Sequence, residues 1–310
     1  MHNLNRRRFL KTIGIAGAAS LAGLPALALR DAGLSKVVII HTNDLHSRLD
    51  PYPEDDAEYP GMAGFARIAA LINQTRQENP HVLVLDAGDV FQGTPYFNLY
   101  GGKPELKLMS KMGYDAVAFG NHEFDNGKDG FLEVLPYADF PFLAANYDFS
   151  DTILAGKVKD YTIIHRGDLK IGVYGLGIEL DGLVSRNLYG NTVYMDAIAV
   201  ARDMEEKLHR EYGCDLIICL SHLGYKYEDD KVSDTRVAEE TRLTHLIIGG
   251  HTHTLLDPPA VVKNKSGKAV TIAQAGYGGT YAGRLQVYID RQANESFVES
   301  HTTKLGQMQG

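Results

Sequence analysis

Five short apolar runs of this sequence are each followed by histidine, aspartate or asparagine. These residues are Asp44 and His46, Asp89, Asn121 and His122, His222, and His251 and His253. Imidazole, carboxylate and amide ligands without thiolates favour a catalytic site for Mn, Fe, Co or Zn over a structural zinc site. The set is too large for one ion but sufficient for two, and a carboxylate such as Asp89 can bridge two ions. The residue types therefore predict a dinuclear metal centre.

The stretch 120–127, Gly-Asn-His-Glu-Phe-Asp-Asn-Gly, concentrates several reactive groups in one short segment. Asn121 can offer an amide oxygen to a cation, and His122 can exchange a proton near neutral pH. Asp125 is close enough in sequence to orient the His122 imidazole. A polar loop with one surface histidine is the alternative interpretation of this stretch alone. The other four clusters favour the catalytic interpretation.

The apolar runs that precede these clusters have the length and composition of buried strands. They cover residues 36–41, 81–86, 116–119, 214–220 and 243–248. Open α/β sheets hold their ligand-binding residues at the carboxyl ends of parallel strands. Five strands that end in polar residues therefore predict a shared functional edge, and glycines beside the clusters permit the tight turns that it needs.

The remaining elements follow from periodicity and turn signals. Strands are predicted at 140–145, 271–276 and 284–289, and helices at 64–77, 106–112, 196–212 and within 229–241. Residues 161–166 and 170–175 flank Gly167-Asp168, which is typical of a β-hairpin. His165 in this hairpin is expected to be a surface residue and not a ligand. After Arg291 the sequence becomes polar, and we expect no further core element there.

Composition indicates one ordinary globular domain. The chain has 310 residues, of which 44% are hydrophobic and 23% are charged, and it lacks repeats and Gly/Ser/Pro linkers. A formal charge of −8 argues against a protein that coats a nucleic acid polymer. Cys214 and Cys219 are five positions apart in an apolar run, so a strand would point them to opposite faces. We expect two free, buried thiols.

The N-terminal 28 residues resemble a bacterial twin-arginine signal, which has the pattern Arg-Arg-x-Phe-Leu-Lys. Arg6 and Arg7 begin this pattern, a weakly apolar run covers 12–24, and Ala26-Leu27-Ala28 supplies a cleavage site of small residues. The resemblance implies export in the folded state to the periplasm, with a mature chain starting near Leu29. An uncleaved amphipathic anchor is the alternative. No other stretch is long and apolar enough to span a bilayer.

The order Asp-x-His, Gly-Asp, Gly-Asn-His-Glu, His and Gly-His-x-His resembles that of the calcineurin-like metallophosphoesterases. The finer match, Gly-Asn-His-Glu-Phe-Asp with Gly-Gly-His-Thr-His, is similar to the 5'-nucleotidase branch. The resemblance implies an α/β fold, a four-layer α/β/β/α sandwich of two mixed sheets flanked by helices. It also implies a metallophosphoesterase domain over residues 36–292 and a tail over 293–310.

The resemblance assigns roles to the clustered residues. Metal one would bind Asp44, His46, Asp89 and His253, and metal two would bind Asp89, Asn121, His222 and His251. The family has Gln or His at the position of His253. His122 would be the catalytic imidazole and Asp125 its orienting partner. Two divalent ions would hold a phosphate ester, which the family implies is a nucleotide, and would activate a hydroxide for attack on phosphorus.

Several alternatives remain open at this stage. A 2',3'-cyclic-nucleotide phosphodiesterase, a UDP-sugar hydrolase and a thiosulfate-pathway hydrolase share this chemistry. A non-catalytic binding subunit is the alternative of another class, although no expected ligand is missing. Full-length family members carry a second, C-terminal domain for substrate specificity, which this chain is expected to lack. It would then come from a separate polypeptide, or the enzyme would accept varied phosphate esters.

Overall fold

Two six-stranded mixed sheets pack face to face in the computed structural model, which describes residues 34–290 and 295–306. The signal-like segment 1–28 lies outside the described residues. Sheet one has the strand order β14-β13-β1-β2-β3-β4. Its strands are β1 (Leu34–Thr42), β2 (Val82–Asp86), β3 (Ala116–Ala118), β4 (Phe142–Leu143), β13 (Tyr281–Asp290) and β14 (Glu295–Lys304). Strands β1 to β4 run parallel, whereas β13 and β14 are antiparallel to their neighbours.

Sheet two has the order β11-β12-β10-β9-β7-β6. Its strands are β6 (Tyr161–Arg166), β7 (Leu169–Leu176), β9 (Leu216–Ser221), β10 (Leu246–Gly249), β11 (Ala260–Lys263) and β12 (Ala269–Ala273). Strands β7, β9, β10 and β12 are parallel, and the edge strands β6 and β11 are antiparallel. The predicted hairpin is therefore confirmed as β6 and β7, with His165 exposed. Strands β5 (Tyr147–Asp148) and β8 (Val193–Tyr194) form a separate small pair.

Helices cover the outer face of each sheet. They are α1 (Phe65–Glu78), α2 (Pro95–Tyr100), α3 (Lys103–Met112), α4 (Gly127–Val134), α5 (Arg186–Tyr189), α6 (Ala197–Arg210) and α7 (Asp234–Glu240). The first helices pack on sheet one, and α6 and α7 pack on sheet two. The four-layer fold that the family resemblance implies is thereby confirmed.

Alternation along the strands builds the three apolar layers. In β1, Val37 and Ile39 point into the layer between the sheets, whereas Val38 and Ile40 point towards the helices. All four are buried, because a strand with both faces covered has no solvated side. This explains why the central strands appear in the sequence as continuous apolar runs.

Two expectations are wrong. Residues Glu295–Lys304 form a ten-residue strand paired with β13, although we expected no core element after Arg291. This strand lies at the edge of sheet one, where polar side chains are tolerated and the apolar signal is weak. The expectation that Cys214 and Cys219 are free and buried is confirmed. The expectation that they point to opposite faces of a strand is wrong, because both lie in the layer between sheet two and its helices. Cys214 precedes β9, so strand alternation does not apply to it.

None of the helices within residues 34–290 and 295–306 combines the length and the apolar character that a membrane crossing requires.

His41, near the end of β1, is buried between the sheets opposite Gly283 of β13. A Cβ at Gly283 would come within 1.8 Å of the His41 Nε2 atom, so the imidazole occupies the space that glycine leaves. The Nδ1 atom of His41 has no hydrogen-bond partner among the described residues. Burial lowers the pKa of His41 from 6.5 to about 4.

This depressed pKa predicts acid sensitivity. As the pH falls, this histidine is protonated in the unfolded chain before it is protonated in the folded chain. The folded state therefore has its full stability above pH 6.5 and loses part of it as the pH falls towards 4. The shift corresponds to about 3 kcal/mol in the free energy of unfolding. We expect His41→Leu to remove this part of the pH dependence in urea unfolding of chelator-treated protein at pH 7 and pH 4.5. Replacement of the exposed His165 by Leu is the matched control, and an unchanged pH slope in His41→Leu would refute the explanation.

Candidate metal centre

The predicted functional residues lie at the carboxyl ends of parallel strands from both sheets. Sheet one contributes the loops after β1, β2 and β3, and sheet two contributes those after β9 and β10. The first three loops carry Asp44, His46, Asp89, Asn121 and His122, and the last two carry His222, His251 and His253. The strand ends of two facing sheets meet at one edge, which brings residues more than 200 positions apart into contact.

One group of side chains consists of Asp44, His46 and His253, whose potential ligand atoms all lie within 4.8 Å of one another. The Nε2 atoms of His46 and His253 are 3.3 Å apart. The Asp44 Oδ1 atom lies 3.5 Å from His253 Nε2 and 4.0 Å from His46 Nε2. Asp44 is fully buried and accepts the backbone N–H of His251. Three donor atoms thus face a common point.

A second group consists of Asp89, His222 and His251, again with ligand atoms within 4.8 Å. His222 Nε2 lies 2.9 Å from Asp89 Oδ2, and Asn121 Oδ1 lies 2.9 Å from His251 Nδ1. Asp89 also lies near the first group, with Oδ2 4.0 Å from His46 Nε2. Its carboxylate therefore stands between the two groups, where a bridging ligand would be required.

The backbone of these loops is strained. Eight non-glycine residues of the described ranges have positive φ, and five of them are Asp44, His46, Asp89, His251 and His253. This left-handed conformation is uncommon for residues with a Cβ and costs of order 1 kcal/mol each. It persists because the surrounding contacts hold it, and such strain concentrates at functional sites.

The pKa values of His46 and His251 suit cation binding, whereas desolvation of His222 is outweighed by the carboxylates of Asp89 and Asp44, which raise its pKa to about 10. Burial lowers the pKa of His46 to about 4 and that of His251 to about 3, so both imidazoles are neutral at pH 7 and keep a lone pair for a metal. Burial raises the pKa of Asp44 to about 7, although His222 opposes this shift. Burial therefore outweighs the charge of His222 at this carboxylate, and a divalent cation would add the positive charge that favours its ionised form. The donor set therefore fits two such ions.

His122 lies at the rim of this cluster and differs from the other imidazoles. Its Nδ1 atom is 2.8 Å from Asp125 Oδ2, and both side chains are partly exposed. Desolvation opposes protonation, but the hydrogen bond to Asp125 and the charge of Asp89 raise the pKa of His122 to about 9. The ring therefore carries a proton at pH 7, with Asp125 fixing its orientation as expected from the spacing.

Comparison with known proteins agrees with this geometry. The sequence model of the calcineurin-like phosphoesterase family matches residues 37–255. Bovine 5'-nucleotidase is 34% identical over 92% of this chain, and the trifunctional nucleotide phosphoesterase YfkN of Bacillus subtilis is 33% identical over 84%. The crystal structure of a 5'-nucleotidase precursor from Thermus thermophilus superposes with a TM-score of 0.79, at 32% identity over 87% of this chain.

The chain belongs to the calcineurin-like phosphoesterase family. Members of this family use a dinuclear divalent metal centre, and the clustered histidines and carboxylates described above are consistent with one. The chain spans 51% of the bovine relative, 18% of the Bacillus relative and 55% of the Thermus structure.

The sequence analysis did not single out the residues that hold the backbone of the ligand-bearing loops in place. Glu123 is buried, and its carboxylate accepts the backbone N–H groups of Asp89, Val90 and Gly120 at 2.6–3.0 Å. It thereby ties the loop after β2 to the loop after β3. The motif Gly-Asn-His-Glu contains this residue, but its hydrogen bonds depend on the tertiary fold.

Gln274 is a second buried residue that the sequence analysis did not single out. Its Nε2 atom donates to the carbonyl of Gly250 at 2.6 Å, and its Oε1 atom accepts from Thr252 Oγ1 at 3.1 Å and from the N–H of Thr254. These bonds fix the loop that carries His251 and His253. Gln274 follows β12, which is parallel to β10, so the strand-end rule could have found it.

Gly120 tests the close packing around Asp89. A Cβ at this position would lie 2.3 Å from Asp89 Oδ1 and 2.7 Å from its backbone nitrogen. We expect Gly120→Ala to fold but to displace the Asp89 carboxylate, which lowers Mn²⁺ affinity about tenfold or more at both sites. Isothermal titration of chelator-treated protein measures this effect. Gly306→Ala, with no atom within 4 Å of the added Cβ, is the control, and two ions bound at wild-type affinity in Gly120→Ala would disprove the prediction.

Proposed function

We propose that this chain is a dimetal phosphohydrolase of the 5'-nucleotidase type that cleaves phosphate monoesters. The observation that carries the proposal is the position of Asp89, which belongs to the second donor group and lies 4.0 Å from His46 of the first, with the His122–Asp125 pair beside them. The family membership and the identity of about 34% to 5'-nucleotidases support the same reaction. Hydrolysis assays on nucleoside monophosphates, with and without chelator, test it directly.

The residues proposed to hold the ions are divided between the two groups. Asp44, His46, Asp89 and His253 would bind metal one, and Asp89, Asn121, His222 and His251 would bind metal two. When bound, the ions would neutralise the phosphate oxygens and make a water nucleophilic near pH 7. His222 is oriented for this role, because its Nδ1 atom donates to the carbonyl of Ala87 at 2.7 Å and leaves Nε2 facing Asp89.

His122 is the proposed catalytic imidazole. The Asp125 carboxylate accepts a hydrogen bond from the Nδ1–H group, so the protonated Nε2 atom is the one available to the substrate. From this position it can stabilise the charge of the transferring phosphoryl group or donate a proton to the leaving alkoxide. The raised pKa, about 9, matches a group that must hold its proton at neutral pH.

The role of His122 gives a specific prediction. We expect His122→Ala to lower kcat by about 10²- to 10⁴-fold, since general acid catalysis typically contributes that much, while the protein still binds two ions. Steady-state hydrolysis and elemental analysis of the purified variant measure the two properties. His165→Ala controls for the loss of a histidine outside the site. Loss of bound metal from His122→Ala would instead indicate that His122 is a metal ligand and would contradict its assignment as the catalytic imidazole.

Nucleotides are the proposed substrate class. The bovine and Thermus relatives are named 5'-nucleotidases, but the chain spans about half their length. We propose that nucleoside recognition either uses a separate specificity polypeptide or is weak, with varied phosphate esters accepted. Leu99 and Tyr100 are 72% and 56% exposed at the end of α2, and Tyr96 of the same helix donates to Asp50 in the loop after His46 at 2.6 Å.

A substrate panel with the isolated chain separates these possibilities. It includes nucleoside monophosphates, 2',3'-cyclic nucleotides, a UDP-sugar and a generic aryl phosphate. Gel filtration with the product of an adjacent gene accompanies it. No complex together with full activity on nucleoside monophosphates would count against a separate subunit, and preference for a cyclic nucleotide or UDP-sugar would reassign the substrate.

Export to the periplasm is the proposed localisation. It rests on the twin-arginine pattern of residues 6–11, which lies outside the described residues. Fractionation of cells that produce the chain with Arg6 and Arg7 replaced by lysine is the test. Unchanged periplasmic recovery of that variant would exclude the twin-arginine route.

A further inference from the structure

The loop between β12 and β13 contributes none of the proposed ligands, yet it contacts the loops that carry them. The backbone N–H of Gly278 donates to the carbonyl of Asp44 at 2.8 Å, and that of Gly276 donates to the carbonyl of Thr254 at 3.1 Å. The buried Asn43 side chain donates to the carbonyl of Gly276 at 2.8 Å and accepts the N–H of Ala275 at 2.7 Å. These hydrogen bonds therefore fix residues 275–278 to the loop that carries Asp44 and to the loop that carries His253.

Tyr277, at the centre of this segment, packs against both imidazoles of that group. Its ring centroid is 4.5 Å from that of His253, with an interplanar angle of 39°. It is 5.0 Å from that of His46, at 41°. The two imidazoles are 5.2 Å apart and nearly perpendicular, at 78°. Three rings thus form a triangle with the two Nε2 atoms converging at 3.3 Å.

The two donor groups differ in how their histidines are held. A metal-binding histidine is ordinarily oriented by a hydrogen bond from its other ring nitrogen. In the second group, His222 has this bond, from Nδ1 to the carbonyl of Ala87. In the first group, His46 Nδ1 is buried without a partner among the described residues. The His253 side chain, 41% exposed, has no hydrogen bond within residues 34–290 and 295–306 other than that to His46.

We propose that Tyr277 is a positioning residue for metal one, where its ring replaces the missing hydrogen bonds and holds the imidazoles of His46 and His253. The inference rests on the proposed dimetal function and assigns Tyr277 no contact with the reacting atoms. Aromatic packing restrains both ring torsions, because the fixed backbone of residues 275–278 keeps the phenol in place. Removal of the ring leaves His253 free to rotate into solvent. Metal two keeps its own hydrogen-bonded histidine and does not depend on Tyr277.

The expected result is a selective loss of one ion. Mn²⁺ titration of the chelator-treated full chain should show two ions bound by the wild-type protein. Tyr277→Ala should bind one ion with wild-type affinity and the other 10- to 100-fold more weakly, the range typical of outer-shell changes. Tyr277→Phe keeps the ring and should restore both affinities. At one equivalent of Mn²⁺ per site, electron paramagnetic resonance should show a coupled pair in the wild type and Tyr277→Phe, and an isolated ion in Tyr277→Ala.

Controls separate this inference from the proposed function and from general destabilisation. Tyr212→Ala removes another half-buried tyrosine, which contacts Tyr161 away from the site, and should bind two ions normally. If Tyr277→Ala does not fold, Tyr277→Leu, which keeps bulk without the ring, takes its place. If the variant tested binds two Mn²⁺ ions with wild-type affinity, or binds both ions with equally reduced affinity, the role proposed for Tyr277 is wrong. Failure of the wild-type chain to bind two ions would overturn the proposed function itself.

Discussion

Burial of two carboxylates at one point is the constraint on which the rest of this structure depends. Asp44 and Asp89 are almost inaccessible to solvent, and a buried charge is costly unless opposite charge or hydrogen bonds compensate it. The backbone N–H of His251 and the amide of Asn43 compensate Asp44 in part. His222 faces Asp89 at 2.9 Å, and bound cations would compensate both carboxylates further, so these loops suit a metal site.

Most of the proposed metal ligands have a strained backbone conformation. Left-handed backbone at five of the seven proposed ligands lets consecutive strand ends turn sharply and point side chains inwards. Glu123 and Gln274 oppose this strain with buried hydrogen bonds to the same loops. The site therefore depends on an outer layer of residues whose contribution is to fix the backbone, which agrees with the general finding that functional strain is stabilised by its surroundings.

The local sequence predicts the strands and the polar clusters at their ends, but not the residues that hold those clusters in place. Apolar runs such as residues 36–41 and 214–220 predict buried strands because both faces of a central strand are covered, and the polar residues after them predict the shared edge. The edge strand β14 was missed because its exposed face is polar. Gln274 follows a strand of the same sheet as His251 and His253, but an amide side chain after an apolar run does not by itself signal hydrogen bonds to the neighbouring loop. Tyr277 was missed because its contacts with His46 and His253 join loops that only the packing of two sheets brings together.

The division of the donors between the sheets links metal binding to the fold. Metal one would join Asp44 and His46 of sheet one to His253 of sheet two, and metal two would join Asn121 to His222 and His251. Each ion would therefore add a cross-link between two sheets that also meet through an apolar layer and through hydrogen bonds such as that from the His251 N–H to Asp44. The free energy of metal binding then becomes free energy of sheet docking. This coupling explains why a strained and strongly polar edge can coexist with a tightly packed core a few residues below it.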